Sequence, residues 1–329
     1  MAHSERLRVG VVGCGSLGKR EAETVKKNIP SAELVAVSDV DPESAKTLAF
    51  HLGIRGHYDS HKKMIEHEKL AAVLVVTPTH THKEICLDAC KAGLHVFCEK
   101  PMSLTVADCQ AMLDAAEEHN VRLMLGFVRR FQPAYREMRR RIEEGEIGEP
   151  RMAYAARMGA RAPLGIGDWR PVRSKGGGLF SGYCHEVDLL RWCAGEFKSV
   201  SAVANSGTYP NCEVEDHIFW TFQFQSGAVG SLAASQAYGV GDYQFGVSGT
   251  KGALKYASVN SLLIAAHGGK VEKIELPPND PFVDELVHFL TCLREGANPS
   301  PDGVDGLRNI QIIEAAHKSV ETGRTVPVA

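Results

Sequence analysis

The chain has 329 residues, of which 44% are hydrophobic and 23% charged, with a formal net charge of −3. That length exceeds one simple core, so two domains are expected. The near-neutral charge balance points to no nucleic-acid and no membrane partner, and the longest apolar run, LAAVLVV at 70–76, is far short of a bilayer span.

Strands and helices alternate from the start. LRVGVVG (7–13) predicts a strand buried on both faces, KREAETVKKN (19–28) a helix, and AELVAVSDV (32–40) a second strand. The next helix carries its own punctuation: Asp41 is placed to cap it, Pro42 to start it and Gly53 to close it. AAVLVVT (71–77), HVFCEK (95–100) and VRLMLGF (121–127) read as further strands, separated by helices over 81–93 and 104–120. This rhythm predicts an α/β domain over 1–126 with a doubly wound parallel sheet.

The pattern then changes, and 127–329 are expected to form a second domain. A helix over 133–145 interleaves arginines with Glu137, Glu143, Glu144 and Glu146, which suits a solvated face better than a basic patch. Strand candidates follow in series at 150–158, 198–207, 216–224, 228–236, 243–249, 252–257 and 261–276. QSGA (225–228) and HGGK (267–270) look like hairpin turns, so an antiparallel sheet is expected. Helices are expected at 179–194, 282–295 and 304–322.

The nine cysteines are scattered and include no C-x-x-C pair. Small buried hydrophobes in a reducing cytosol are the simpler reading, and MAHSERLRVG lacks the apolar core of a signal peptide. A cytoplasmic protein is expected.

VVGCGSLG places Gly13, Gly15 and Gly18 in G-x-G-x-x-G spacing directly after a buried strand and before a helix. The first glycine suits the tight turn, the second the approach of a pyrophosphate, and the third close helix–strand packing. Gly13, Cys14, Gly15, Ser16, Leu17 and Gly18 are therefore expected around a dinucleotide. Asp39 ends the second strand, where a carboxylate binds an adenosine ribose. It would repel a 2′-phosphate, and Val40 offers no counter-charge, so NAD is favoured over NADP.

Glu99-Lys100-Pro101 ends a core strand on charge. Ligands bind at the carboxyl ends of strands in such sheets, and Pro101 restricts Lys100 to an extended backbone and permits a cis bond.

With TPTHTH (77–82), AGLHVFCEKP (92–101), GFVRRFQPAY (126–135) and DWRPVRSKGGGLFSGYCHEVDLLRW (168–192), the sequence resembles the Gfo/Idh/MocA family of NAD(P)-dependent sugar and cyclitol dehydrogenases. The resemblance implies a Rossmann domain followed by an α/β domain with a large open, mainly antiparallel sheet. It places Thr77, Pro78, His82 and Glu99 on the cofactor side. His80 and His82 have no carboxylate or cysteine at ligand spacing, so no metal is expected.

The family's catalytic helix usually reads Asp-x-Gly-x-His-x-x-Asp. Here His185 and Asp188 match, while Ser181 stands in place of the acid and Tyr183 in place of the glycine. The resemblance implies that His185 takes a hydroxyl proton, hydride passes to the nicotinamide, and Lys100 steadies the alkoxide. Ser181, Tyr183 and Asp188 are candidates for a proton relay or substrate contact. Arg129, Arg157, Arg161, Trp169, Arg170, Tyr238 and Tyr243 are weaker substrate candidates, the tyrosines flanking the glycine-rich loop AYGVGDY. The expected substrate is a cyclic polyol or pyranose. An NAD-assisted glycosidase, a C=C or C=N reductase, and a non-enzymatic NAD-sensing regulator are the alternatives. A homodimer or homotetramer is expected, because HIFWTFQF carries apolar residues on both alternations of an open sheet.

Overall fold

A computed structural model describes residues 6–160, 169–209 and 212–328. Contacts divide the chain into two units, one of Met1–Phe127 with Pro281–Leu307 and one of Val128–Asp280 with Arg308–Ala329.

The first unit holds a six-stranded parallel sheet: β1 (Leu7–Val12), β2 (Ala32–Ser38), β3 (Gly56–Tyr58), β4 (Ala72–Val75), β5 (His95–Glu99) and β6 (Leu123–Gly126). Its order is β3-β2-β1-β4-β5-β6. Helices α1 (Ser16–Asn28), α2 (Pro42–Leu52), α3 (His61–His67), α4 (His82–Lys91) and α5 (Val106–Glu118) lie between the strands. All four residues of β4 are buried, as expected where helices cover both faces of a sheet. The punctuation of α2 is as expected: the Asp41 carboxylate accepts the Glu43 N–H, and Gly53 closes the helix at φ +61°. β3 and α3 have no counterpart in the sequence reading, because three residues reading GHY carry no hydrophobic period.

The second unit holds a nine-stranded sheet: β7 (Pro150–Ala160), β8 (Phe197–Asn205), β9 (His217–Phe224), β10 (Val229–Ser235), β11 (Ala237–Gly249), β12 (Gly252–Ser258), β13 (Ser261–Ala266), β14 (Glu272–Glu275) and β15 (Val326–Pro327). The order is β14-β13-β12-β11-β7-β10-β9-β8-β15, and only β7 and β10 run parallel. On β9 the residues Ile218, Trp220, Phe222 and Phe224 are buried while Phe219, Thr221 and Gln223 face out. The helices are α6 (Pro133–Glu143), α7 (Arg173–Gly176), α8 (Leu179–Gly182), α9 (Cys184–Ala194), α10 (Pro281–Glu295) and α11 (Gly303–Thr322), α10 lying in the first unit. Phe180 of α8 packs 4.8 Å from Trp220 and 4.5 Å from His317 of α11, ring centroid to centroid, which covers the inner face. Among the described residues no helix is long and apolar enough to cross a membrane.

By its contacts α10 belongs with the first unit: Phe289 meets Phe97 of β5 at 5.8 Å, and Phe282 lies 3.7 Å under the Arg20 guanidinium of α1. Two expectations need correction. The helix expected over 179–194 breaks at Tyr183 (φ −105°, ψ 20°) into α8 and α9. Gly182 is a weak helix former, and the Tyr183 hydroxyl is tied to the Ser235 carbonyl at 2.8 Å. AYGVGDY is not a free loop but the first half of β11, which pairs with β7 at Ala237, shifts register, and resumes at Asp242.

Candidate active site

In the first unit the glycine loop joins β1 to α1. Gly13 sits at φ +102°, and a Cβ there would come 2.4 Å from the Val76 carbonyl oxygen; one on Gly18 would come 1.9 Å from the Gly13 oxygen. Only glycine fits either place. A Cβ on Gly15 would meet nothing within 4 Å. The N-terminus of α1 is not capped by a side chain and carries no acid in its first turn. Such a terminus, with open space in front of it, accepts an anionic group. The residues therefore fit the pyrophosphate of a dinucleotide.

Asp39 bears on the same loop. Its Oδ2 accepts the Cys14 N–H at 2.6 Å and its Oδ1 the Asp41 N–H at 2.9 Å. Each oxygen keeps a further lone pair for a ribose hydroxyl. Val40 beside it is 93% exposed. Burial, then the field of Asp39, pushes the Cys14 thiol up to about 12, so it stays a neutral packing group.

His82 links two strand ends. Its Nδ1 lies 2.9 Å from the Pro101 carbonyl oxygen and its Nε2 2.8 Å from that of Thr77. Burial holds its pKa below the usual histidine value against the pull of those carbonyls. The neutral ring can donate to only one of them. Thr81 closes the loop by donating to Thr77 Oγ1 and to the Pro78 carbonyl. His80 is exposed. The Lys100–Pro101 peptide is cis, and the Lys100 N–H donates to Glu99 Oε2 at 3.1 Å. Burial pushes the Glu99 carboxyl up to about 7, opposed by the Lys100 charge.

In the second unit α8 and α9 carry Ser181 and His185, both buried. Asp188 is engaged by Arg130, at 2.8 Å from Nε and 2.5 Å from Nη2. Glu186, the residue after His185, is fully buried and receives Arg129 at 2.8 Å and Arg157 at 3.3 Å. Arg129 also donates to the Tyr243 hydroxyl at 2.5 Å, which in turn bonds that of Tyr135. Burial works against the Arg129 charge, but the Glu186 carboxylate together with Tyr243, Tyr135 and Tyr256 outweighs burial and holds its pKa above the usual value. Burial pushes Tyr243 up to about 12.

The first unit carries the family description of an NAD-binding Rossmann fold over residues 7–127, and residues 139–328 match the family's C-terminal alpha/beta domain. The chain belongs to the Gfo/Idh/MocA oxidoreductase family. It is 30% identical to the scyllo-inositol 2-dehydrogenase (NAD(+)) of Bacillus subtilis, with 98% of this chain and 96% of that protein covered. It is also 30% identical to the myo-inositol 2-dehydrogenase of Thermotoga maritima, over 97% and 98%. A levoglucosan dehydrogenase solved in complex with NADH superposes at a TM-score of 0.91 over 99% and 100% of the two chains; at 24% identity it shows the shared fold.

Within this family frame, Gly13, Cys14, Gly15, Ser16, Leu17, Gly18 and Asp39 gather at one end of the sheet, near Thr77, Pro78 and His82. Arg129 and Arg157 meet on one carboxylate. Arg170 instead lies 4.9 Å over its neighbour Trp169, and Tyr238 is 48% exposed while Tyr243 joins the arginine network. Arg161 lies outside the described residues. Glu186, Arg130 and Tyr135 were missed by sequence reasoning. Glu186 had a signal, since it sits between the two residues of the helix that match the family pattern.

Proposed function

We propose that this protein oxidises a secondary hydroxyl of a cyclic polyol or pyranose sugar, with NAD as the hydride acceptor. The supporting observation is the joint presence of an open, uncapped glycine loop with Asp39 and of Lys100 and His185 within the stretches by which the sequence resembles the family. Gly13, Gly15 and Gly18 would hold the pyrophosphate, and Asp39 the adenosine ribose. Bound NAD supplies the hydride-accepting ring. His185 accepts the hydroxyl proton, and the Lys100 ammonium steadies the negative charge growing on that oxygen. Ser181 contributes a hydrogen bond but no charge. The inositol dehydrogenases among its relatives support the substrate class.

The test is a panel of cyclitols and pyranoses with NAD, scored by absorbance of the reduced cofactor. Net NADH formation on at least one member supports the reading. A product formed with no net NADH would point to a glycosidase that uses NAD transiently.

The protein is further proposed to act in the cytoplasm as a homodimer or homotetramer. All nine cysteines are free thiols, eight of them buried, which suits a reducing compartment. The outer face of the large sheet presents Met152, Val203, Phe219 and Val229, all more than 40% exposed, and a second copy of the chain would cover them.

A further inference from the structure

α10 brings to the Lys100 strand end a buried acid that none of the steps above uses. Glu285 is fully buried, and neither of its carboxyl oxygens has a hydrogen-bond partner. Its placement follows from packing register. Phe97 of β5 meets Phe289 of α10. Side chains two apart on a strand share a side, as do those four apart on a helix. Glu99 lies two residues beyond Phe97 on β5 and Glu285 one turn before Phe289 on α10, and the charge of Glu99 acts on Glu285. On the α1 side, Arg20 lies over Phe282, and the next residue, Glu21, is fully buried. The charged groups acting on Glu285 are thus Glu99 and Lys100 from the end of β5 and Glu21 from α1.

Glu99 has little freedom to move away. One oxygen accepts the Lys100 N–H. The other lies against Gly126 of β6, where a Cβ would come within 2.6 Å of it. A buried carboxylate with no hydrogen bond costs so much that it takes up a proton instead. Burial, followed by the fields of Glu99 and Glu21, pushes the Glu285 carboxyl well above the usual range, against a smaller opposing pull from Lys100. Once protonated, it has one O–H to donate.

We propose that Glu285 stands as a neutral acid with its O–H directed at Glu99, so that, once Glu99 ionises, the two carboxyl groups together hold one negative charge beside Lys100 and Glu285 acts as a positioning residue for that lysine. One carboxylate matches one ammonium, whereas two ionised carboxylates would repel each other. The link to Lys100 rests on the function proposed above; the protonation state of Glu285 does not.

The first test is the infrared carbonyl band of protonated carboxyl groups in the full-length protein, followed between about pH 5 and about pH 9. The wild type should keep such a band above neutral pH, and folded Glu285→Gln should lose intensity from it. A Glu285→Gln spectrum identical to the wild type, or no band at neutral pH, overturns the proposal whether or not a substrate is known. The second test is kinetic. Glu285→Gln, which keeps a neutral donor, should hold kcat within about twofold, while Glu285→Leu should lower kcat by about tenfold with little change in KM for NAD. Glu285→Leu with a raised melting temperature and unchanged kcat would mark Glu285 as a packing residue only and defeat the assignment.

Discussion

Arg130 clasps Asp188 with two hydrogen bonds, Nε to Oδ2 at 2.8 Å and Nη2 to Oδ1 at 2.5 Å, and both side chains are buried. The pair ties the Val128–Phe131 turn to α9 three residues beyond His185. Removing either partner takes the two-bond clasp away from a buried charge. Asp188→Ala is expected to cost about 3–5 kcal/mol of stability, and the double change Arg130→Met with Asp188→Leu should cost less. Urea unfolding measures both, and an Asp188→Ala protein as stable as the wild type would contradict this reading.

NAD is expected to bind more tightly than NADP. Asp39 holds the glycine loop through the Cys14 N–H, and exposed Val40 brings no positive charge. Asp39→Ala should weaken NAD binding and narrow the gap between the two cofactors. Calorimetric titration of each into apoprotein decides it, and equal or tighter NADP binding to the wild type would sink the idea.

On an identified substrate, Lys100→Ala and His185→Ala are each expected to lower kcat by about 10²–10⁴-fold, with cofactor affinity less affected. Ser181→Ala should be mild, because it removes only a hydrogen bond. Ser181→Asp should move the pH–rate profile toward a higher apparent pKa, since a carboxylate near the histidine favours its protonated form. Tyr183 already donates to the Ser235 carbonyl. Were His185→Ala to keep nearly full activity while Tyr183→Phe abolished it, the proton would belong to Tyr183 instead.

The Glu99 carboxyl is raised from an ordinary 4.5 to about 7, chiefly by burial. The folded state therefore binds this proton more tightly than the unfolded chain. The stabilising contribution is complete below the ordinary value, is lost as pH rises through about 7, and stays lost above it. Glu99→Gln should remove this loss, on the order of 3 kcal/mol, so its stability should gain on the wild type across that window. Melting temperatures at a series of pH values test the difference, and parallel curves would refute it.

Phe219→Glu on the outer sheet face should shift the protein toward monomer. Phe219 is 55% exposed and pairs across strands with Ala233 and Val203, so a charge there would be buried in any interface formed by this face. Sedimentation velocity at micromolar concentration reads the result. A wild-type monomer, or a variant assembly identical to the wild type, would rule out this face as the interface.

The sequence alone determined the elements whose causes are local. The turn at Gly13 needs a positive φ and the packing at Gly18 needs a missing Cβ, so the glycine loop was legible from its spacing. Asp41, Pro42 and Gly53 marked α2 because capping acts on residues within one turn. The strand rhythm through residue 126 followed from burial on both faces. What only the tertiary structure decided are contacts between distant residues. Arg130 and Asp188 stand 58 positions apart, and nothing in either neighbourhood names the other. Glu186 collects Arg129 and Arg157 only because α9 packs against β7. Tyr183 breaks its helix where its hydroxyl is held by the carbonyl of Ser235, 52 positions away. Glu285 reads in the sequence as an ordinary helix glutamate. Its burial, with the Glu99 charge acting on it, exists only because α10 returns to the first unit, where Phe289 packs on Phe97.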